Sequence, residues 1–278
     1  MSICIWLEHD NKNNDFRESI VIYLRKRAKH MNETQRFYKN PEHASEVQLT
    51  KKTRIGGGEF GEVFQVEIQI GGRERTFVLK EFKDRKGRQA EQYAAQAMEN
   101  YQKLKNAGLK VFSTYRLHED GRSVLMTSGH TEKFVCIGSN DGSRSLKDFP
   151  EVSAEQIESI QSFETLVRSM LEQSKKASEH ELAIDADAFF FLVDRDLPEK
   201  VDFVVGDVDM VGETSDSALT FEQNNHAIYT AIYHFLKNNV TSLGEYKARL
   251  DEVYKEVTGD TEVPKVTEEE IRTLKKRK

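Results

Sequence analysis

The stretch Ile55-Gly56-Gly57-Gly58-Glu59-Phe60-Gly61-Glu62-Val63, followed after one further hairpin by Phe77-Val78-Leu79-Lys80, decides how this chain is read. Gly56, Gly58 and Gly61 carry no side chain, so backbone amides there can approach an anion closely. Apolar Ile55, Val63 and Phe64 flank the run and place it between two strands. That separates it from the dinucleotide fingerprint, whose glycines open a helix, and it lacks the Gly-Lys-Ser/Thr ending of a P-loop. A glycine triplet alone is no more than many flexible hairpins need. Lys80, ending an apolar strand, adds a fixed positive charge directed at phosphates held beneath the loop.

Working outward, Val63, Phe64, Val66, Ile68 and Ile70 form a strand-like run before a turn at Gly71-Gly72, and residues 76–82 resume as a strand, so the two form a hairpin. A helix is expected over 88–106, stopped at Ala107-Gly108. Strand-like runs at 111–117 and 123–127 follow, joined by a turn at Glu119-Asp120-Gly121-Arg122. This order predicts an antiparallel sheet with one inserted helix, not a doubly wound parallel sheet.

Residue for residue, the glycine run and Lys80 resemble the protein-kinase ATP-binding signature, and the element order as far as Thr127 is similar to a kinase N-lobe. The resemblance implies an α+β, two-lobed protein-kinase-like fold, with an antiparallel-sheet N-lobe and a reduced, mainly helical C-lobe. ATP would lie between the lobes, cradled by Ile55, Gly56, Gly57, Gly58, Glu59, Phe60, Gly61 and Val63. Lys80 would contact its phosphates, and Met126 and Thr127 would lead into the hinge beside adenine. A helix glutamate would hold Lys80. Glu99 has the kinase-like spacing, whereas Glu91 borders the Ala90/Ala94/Ala97/Tyr101/Leu104 stripe on a helical wheel; either is otherwise a solvated helix residue.

The second half reads as mainly helical. Ser153 and Gln156 form a capping-box pattern, with Ile157, Ile160, Phe163, Leu166, Val167, Met170 and Leu171 behind it at helical spacing. Two apolar strands, 189–193 and 201–205, flank Asp194-Arg195-Asp196-Leu197-Pro198. Helices are expected around 227–236, 242–257 and 267–276. Leu182-Ala183-Ile184-Asp185-Ala186-Asp187-Ala188-Phe189-Phe190 is similar to a kinase catalytic loop, with Asp185 in the aspartate position that orients the acceptor hydroxyl. In Gly206-Asp207-Val208-Asp209, Asp207 takes the magnesium-binding D-F-G aspartate position. Asp209 stands where the glycine would be, as in the D-x-D variants of small-molecule kinases. The resemblance thus implies Mg2+ beside ATP, held by Asp207 and Asp209.

Three departures bear on catalysis. Phe190 replaces the asparagine that would bind a second metal. Asp187 replaces a phosphate-contacting lysine; at an effective dielectric of about 20, a misplaced charge at contact distance costs roughly 4 kcal/mol, less with a metal between. Ala183 replaces the usual His or Tyr, and no Ala-Pro-Glu follows Asp209. Three readings stay open: an atypical phosphotransferase acting on an unidentified protein or small-molecule acceptor, a pseudokinase serving as a nucleotide-regulated scaffold, and a regulator that binds no nucleotide.

Composition narrows the classes. A net charge of -6 opposes general nucleic-acid binding, and no apolar run nears the roughly 18 residues of a membrane span. Residues 1–7 lack the basic start and cleavage site of a signal peptide. Cys4 and Cys136 form neither a disulfide framework nor a metal spacing, and a reducing cytoplasmic compartment is the simplest expectation. The domain reading is an extension over 1–47 with one helix at 15–31, an N-lobe over 48–129 and a C-lobe over 130–278. The Lys275-Lys276-Arg277-Lys278 end follows Glu268-Glu269-Glu270 and suits a helix C-terminus.

Overall fold

Alternating and β-branched runs in the first half become strands. The computed structural model describes residues 2–9, 18–25, 45–70, 73–116, 121–140, 143–209, 211–213 and 217–266. The chain divides into two units: Met1–Glu99 with Phe112–Ser128, and Asn100–Val111 with Gly129–Lys278. The architecture is mixed α+β, with an antiparallel-sheet region first and, among the described residues, three of the four α-helices in the second half.

The first unit holds β1 (Ser2–His9), β2 (Glu18–Arg25), β3 (Ser45–Gly57), β4 (Gly61–Ile70), β5 (Arg73–Phe82), the start of α1 (Ala90–Asn106), β6 (Thr114–Arg116) and β7 (Ser123–Thr127). The strands form one sheet in the order β2-β1-β3-β4-β5-β7-β6, every neighbouring pair antiparallel. Val66, Ile68, Phe77, Leu79, Val124 and Leu125 are buried on its strands. Ala90, Ala94 and Ala97 are fully buried on α1, matching the helical stripe read from sequence. Asp84 supplies the start signal: its carboxylate accepts the Ala90 amide at 2.9 Å, so α1 opens there rather than at residue 88.

The helix expected over 15–31 is corrected. Residues Glu18–Arg25 are a strand, paired in register with β1 from Ser2↔Arg25 to His9↔Glu18, and β1 in turn pairs with β3 from Ser2↔Gln48 to Ile5↔Ser45. Ile20, Val21, Ile22 and Tyr23 are β-branched or aromatic, the types that suit a pleated surface more than a helix. The extension therefore lengthens the sheet. Within the expected strand 111–117, Thr114–Arg116 joins the sheet among the described residues, while Val111 bridges in parallel to Val205 within the second unit.

The second unit contains β8 (Phe134–Gly138), α2 (Phe163–Glu179), β9 (Leu182–Ile184), β10 (Phe189–Asp194), β11 (Val201–Val205), β12 (Val211–Glu213), α3 (Ser217–Asn239) and α4 (Leu243–Thr258), together with the last turns of α1. Strands β11-β10-β8 form one antiparallel sheet and β12-β9 a second. Its core includes Phe163, Val167, Met170, Phe189, Phe191, Tyr229 and Phe235. Phe191 of β10 stacks on Phe235 of α3 at 4.1 Å between centroids, joining sheet to helix.

The Ser153/Gln156 capping box does not open a helix. The Ser153 amide donates to the Arg195 carbonyl at 2.9 Å, and the Ile157 amide donates to the Asn239 carbonyl at 2.8 Å. Backbone groups captured by distant partners are no longer available to a helical ladder, and α2 begins only at Phe163. The expected helix over 267–276 lies outside the described residues. Among the described residues, no helix is long and apolar enough to cross a membrane.

Candidate functional site

Two constellations carry the candidate chemistry, one in each unit. In the first unit the glycine run is the turn between β3 and β4, closed by the Gly58 amide donating to the Gly61 carbonyl at 2.9 Å. Its glycines are needed for different reasons. A Cβ on Gly61 would fall 2.3 Å from the Glu81 carbonyl oxygen of β5, so this glycine permits close strand approach. Cβ atoms on Gly56 or Gly58 would meet nothing within 4 Å, leaving open space beside their backbone. A Cβ on Gly57 would press on the Glu62 carboxylate and the Arg54 guanidinium.

The turn is fastened by charge. Glu62 binds Arg54 and Lys83, and these partners, Lys83 foremost, hold its carboxyl down at about 2. Glu59 pairs with Arg85 at 2.7 Å and Lys86 at 2.9 Å. The Lys83 amide donates to the Phe60 carbonyl at 2.9 Å, and the Phe60 ring lies 5.5 Å from Tyr93, which in turn stacks on Phe82. Lys80 lies in β5 opposite Val63 of β4 and Val124 of β7. It is only 9% exposed, although a lysine is among the residues least often buried. Its ammonium sits 5.5 Å from the centre of the Phe82 ring. Ile55 is exposed, Val63 half-buried, and Met126 and Thr127 pair with Val78 and Phe77.

The two glutamates weighed as partners for Lys80 diverge. Glu91 pairs with Arg122 at 3.2 Å, and Arg122 also binds Asp84 at 2.6 Å. Glu99 lies on the exposed face of α1.

In the second unit, Asp185 caps a single 3-10 turn, Ala186–Ala188, between β9 and β10. Its carboxylate accepts the Asp187 amide at 3.4 Å, and the Ala188 amide donates to its carbonyl at 3.0 Å. The Ala188 carbonyl accepts the Gly206 amide at 2.8 Å and the Asp207 amide at 3.4 Å, tying the Asp185 loop to the Asp207 loop. Pairing of Ile184 with Val211 then sets Asp185, just after β9, near Asp209, just before β12. Both aspartates line one cavity of about 1110 Å3. Phe190 occupies β10 opposite Gly138 and Val204, so an aromatic ring on a strand takes the place expected for a metal-binding amide.

Buried amides that sequence reading passed over hold this arrangement. Asn100, 3% exposed, donates its side-chain amide to the Val208 carbonyl at 2.8 Å and to the Val211 carbonyl at 3.3 Å. Asn224 of α3 accepts the Ile184 amide at 2.7 Å and donates to the Leu182 carbonyl at 2.8 Å, bracketing β9. The available signal was asparagine within two otherwise good helical patterns, where it weakens the helix and so calls for another role. His234 contributes a further contact, Nδ1 to the Ser139 carbonyl at 3.2 Å. The free thiol of Cys136 is pushed up to about 12 by burial and is chemically quiet.

Among the described residues, no group of three or more His, Cys, Asp or Glu side chains is arranged to hold a metal. Magnesium commonly takes only one or two carboxylates, with water and phosphate oxygens completing its shell. Asp207 and Asp209 would fit that mode, and a self-sufficient metal cage would not. No protein-family model matches the chain, and no curated protein matches it.

Proposed function

We propose that this chain is an ATP-binding protein of protein-kinase-like build that acts as an atypical ATP-dependent phosphotransferase. The observation that carries the reading is Lys80, a lysine buried to 9% exposure in an apolar strand that pairs with the strand leaving an open glycine turn. A lysine ending an apolar strand beside a glycine turn is a fixed charge that a polyphosphate can share, and charge-assisted hydrogen bonds to phosphate are among the stronger ones. In this reading the backbone at Gly56 and Gly58 lies over the phosphates and Lys80 neutralises them. Asp207 and Asp209 would hold Mg2+, which supplies charge neutralisation on the transferring phosphate. Asp185 orients the acceptor hydroxyl and takes up its proton.

A second reading, an inactive nucleotide-regulated scaffold, is favoured by Phe190 in the strand position of a metal-binding amide and by Asp187 in place of a lysine. Thermal unfolding with ATP, with and without Mg2+, on wild type and Lys80→Ala, separates the cases. ATP at about 100 times its Kd should stabilise the wild type by roughly 2.7 kcal/mol, and Lys80→Ala should lose that gain. No shift under any condition sinks both readings. A shift indifferent to Mg2+ favours the scaffold, whereas transfer of labelled γ-phosphate that Asp207→Ala stops establishes the enzyme.

A further inference from the structure

Arg195, on the loop between β10 and β11, ties down two chain segments, each of them twice. Its backbone amide donates to the Lys133 carbonyl and its carbonyl accepts the Ser153 amide, both at 2.9 Å. Its side chain reaches the same two segments: Nη2 lies 3.0 Å from His130 Nε2 and 3.6 Å from the Glu151 carboxylate. The same His130 nitrogen lies 3.4 Å from Glu151. One imidazole nitrogen therefore faces two partners of opposite charge. The Arg195 Nε–H is buried without an acceptor among the described residues, so Nη2 carries the contact to the ring. All of these residues belong to the second unit.

The chemistry of the pair fixes the protonation state. A guanidinium has donors and no acceptor, so its hydrogen bond to the ring needs a lone pair on Nε2, and the neutral ring carries its proton on Nδ1. A charged ring has an N–H on both nitrogens. Its Nε2 then repels Arg195 and donates to Glu151, so the two pairings exclude one another. The surroundings favour the neutral ring. The side chain is partly buried, and the Phe149 ring lies 5.7 Å from it. Arg144 adds a second positive charge against the single carboxylate of Glu151, while Lys133, in the same segment, is paired with Asp194 at 3.8 Å. Burial foremost, and then Arg195, hold the imidazolium below the usual 6.5, with Glu151 pulling the other way.

We propose that His130, Glu151 and Arg195 form a proton-operated clasp on the β10–β11 loop. With His130 neutral, Arg195 donates to it, and the loop is held to both segments by backbone and side chain. When Nε2 takes up a proton, His130 becomes a donor to Glu151 and gives Arg195 up. Arg195 keeps Glu151 as its side-chain partner, so the hold on the Glu151 segment persists. The hold on the His130 segment falls to the single backbone bond with Lys133. The folded clasp takes up its proton less readily than the unfolded chain does. Its stabilisation is therefore complete above about pH 6.5 and declines as pH falls below that value. This clasp stands independently of the nucleotide reading.

NMR titration of the isotope-labelled full chain from about pH 8 to about pH 5 tests the clasp. The His130 ring carbon and Arg195 Nε signals should move with one shared midpoint below 6.5. Over the same range the Arg195 amide, bonded to Lys133, should lose exchange protection several-fold after correction for its intrinsic rate. The Ser153 amide should keep its own. A merely packed histidine would give neither the shared midpoint nor the one-sided release, and both are read on the wild type whether or not a variant folds. Arg195→Gln should raise the His130 midpoint, Glu151→Gln should lower it further, and His130→Gln should abolish the transition at Arg195. A His130 midpoint at or above 6.5, or an Arg195 signal that ignores it, overturns the proposal. So does a transition at Arg195 that survives His130→Gln, or an equal loss of protection at Arg195 and Ser153.

Discussion

The side-chain amide of Asn100 donates to the Val208 carbonyl at 2.8 Å, so a residue on the last turns of α1 fixes the backbone of the Asp207-Val208-Asp209 segment. The bond joins positions 108 residues apart in the chain. With Val208 itself only 1% exposed, the segment is held on both its polar and its apolar side.

Replacing Asn100 by the similarly sized leucine leaves the Val208 and Val211 carbonyls without this donor. Unmet buried groups cost about 1–3 kcal/mol, so the urea midpoint of N100L should fall accordingly. Under the phosphotransferase reading, the Mg2+-dependent part of ATP binding should weaken more than the Mg2+-independent part. An unchanged midpoint would show that water or a rearranged loop replaces the bond.

Two glycines of the same turn should respond oppositely to alanine. Gly61→Ala forces a methyl group to within 2.3 Å of the Glu81 carbonyl oxygen, a backbone atom that cannot swing aside. Overpacking of this kind costs about 1–3 kcal/mol. Gly58→Ala meets nothing within 4 Å, so stability should change by less than about 0.5 kcal/mol, while ATP affinity falls if phosphates approach that backbone. Denaturation curves and ATP titrations on both variants check the contrast.

Glu62 sets a pH dependence. Lys83 and Arg54 hold its carboxyl at about 2, below the usual 4.5, so the folded state binds its proton less readily than the unfolded chain does. The stabilisation is therefore complete above about pH 4.5 and declines as pH falls toward 2. Carboxyl carbon NMR should place the Glu62 midpoint well below that of an unpaired glutamate, and Lys83→Ala should raise it. A midpoint near 4.5 in the wild type would remove the clamp.

Phe190→Asn restores the residue type that holds a second metal in the resembled catalytic loop. Phe190 is half-buried on β10, and losing part of a packed ring should cost on the order of 1–3 kcal/mol, below the roughly 3–5 of a fully buried one. Under the phosphotransferase reading, the Mg2+ concentration needed for half-maximal ATP stabilisation should drop. If stability falls and the Mg2+ requirement stays put, position 190 serves packing alone.

Much of the fold was legible because local patterns and tertiary demands agreed. The alternation over Gly61–Ile70, the apolar run ending in Lys80, the stripe Ala90/Ala94/Ala97 and the pair β10 and β11 all fall where periodicity placed them. Legibility failed where two local readings competed. Ile20-Val21-Ile22-Tyr23 satisfies a helical stripe and a strand almost equally, and pairing with β1 decided for the strand. Ser153 and Gln156 spell a helix start, yet Arg195 and Asn239 take the backbone groups that a helix would have used. The candidate site shows the same division. Aspartates at 185, 207 and 209 stand out as acids between apolar runs, but the amides that position them, Asn100 and Asn224, look like ordinary helix residues until their partners are known.

By itself, then, the sequence determined the glycine turn, the lysine that ends its neighbouring hairpin and the chain order of the three acids, because these follow from backbone freedom, strand period and charge within a few residues. Only the tertiary structure decided that Gly61 answers to strand packing while Gly56 and Gly58 face open space. It alone decided that the extension joins the sheet, and that His130 and Glu151 meet at Arg195. The physical reason is distance along the chain: a hydrogen bond or a cavity wall is built from residues tens of positions apart, and no local period records which of them will meet.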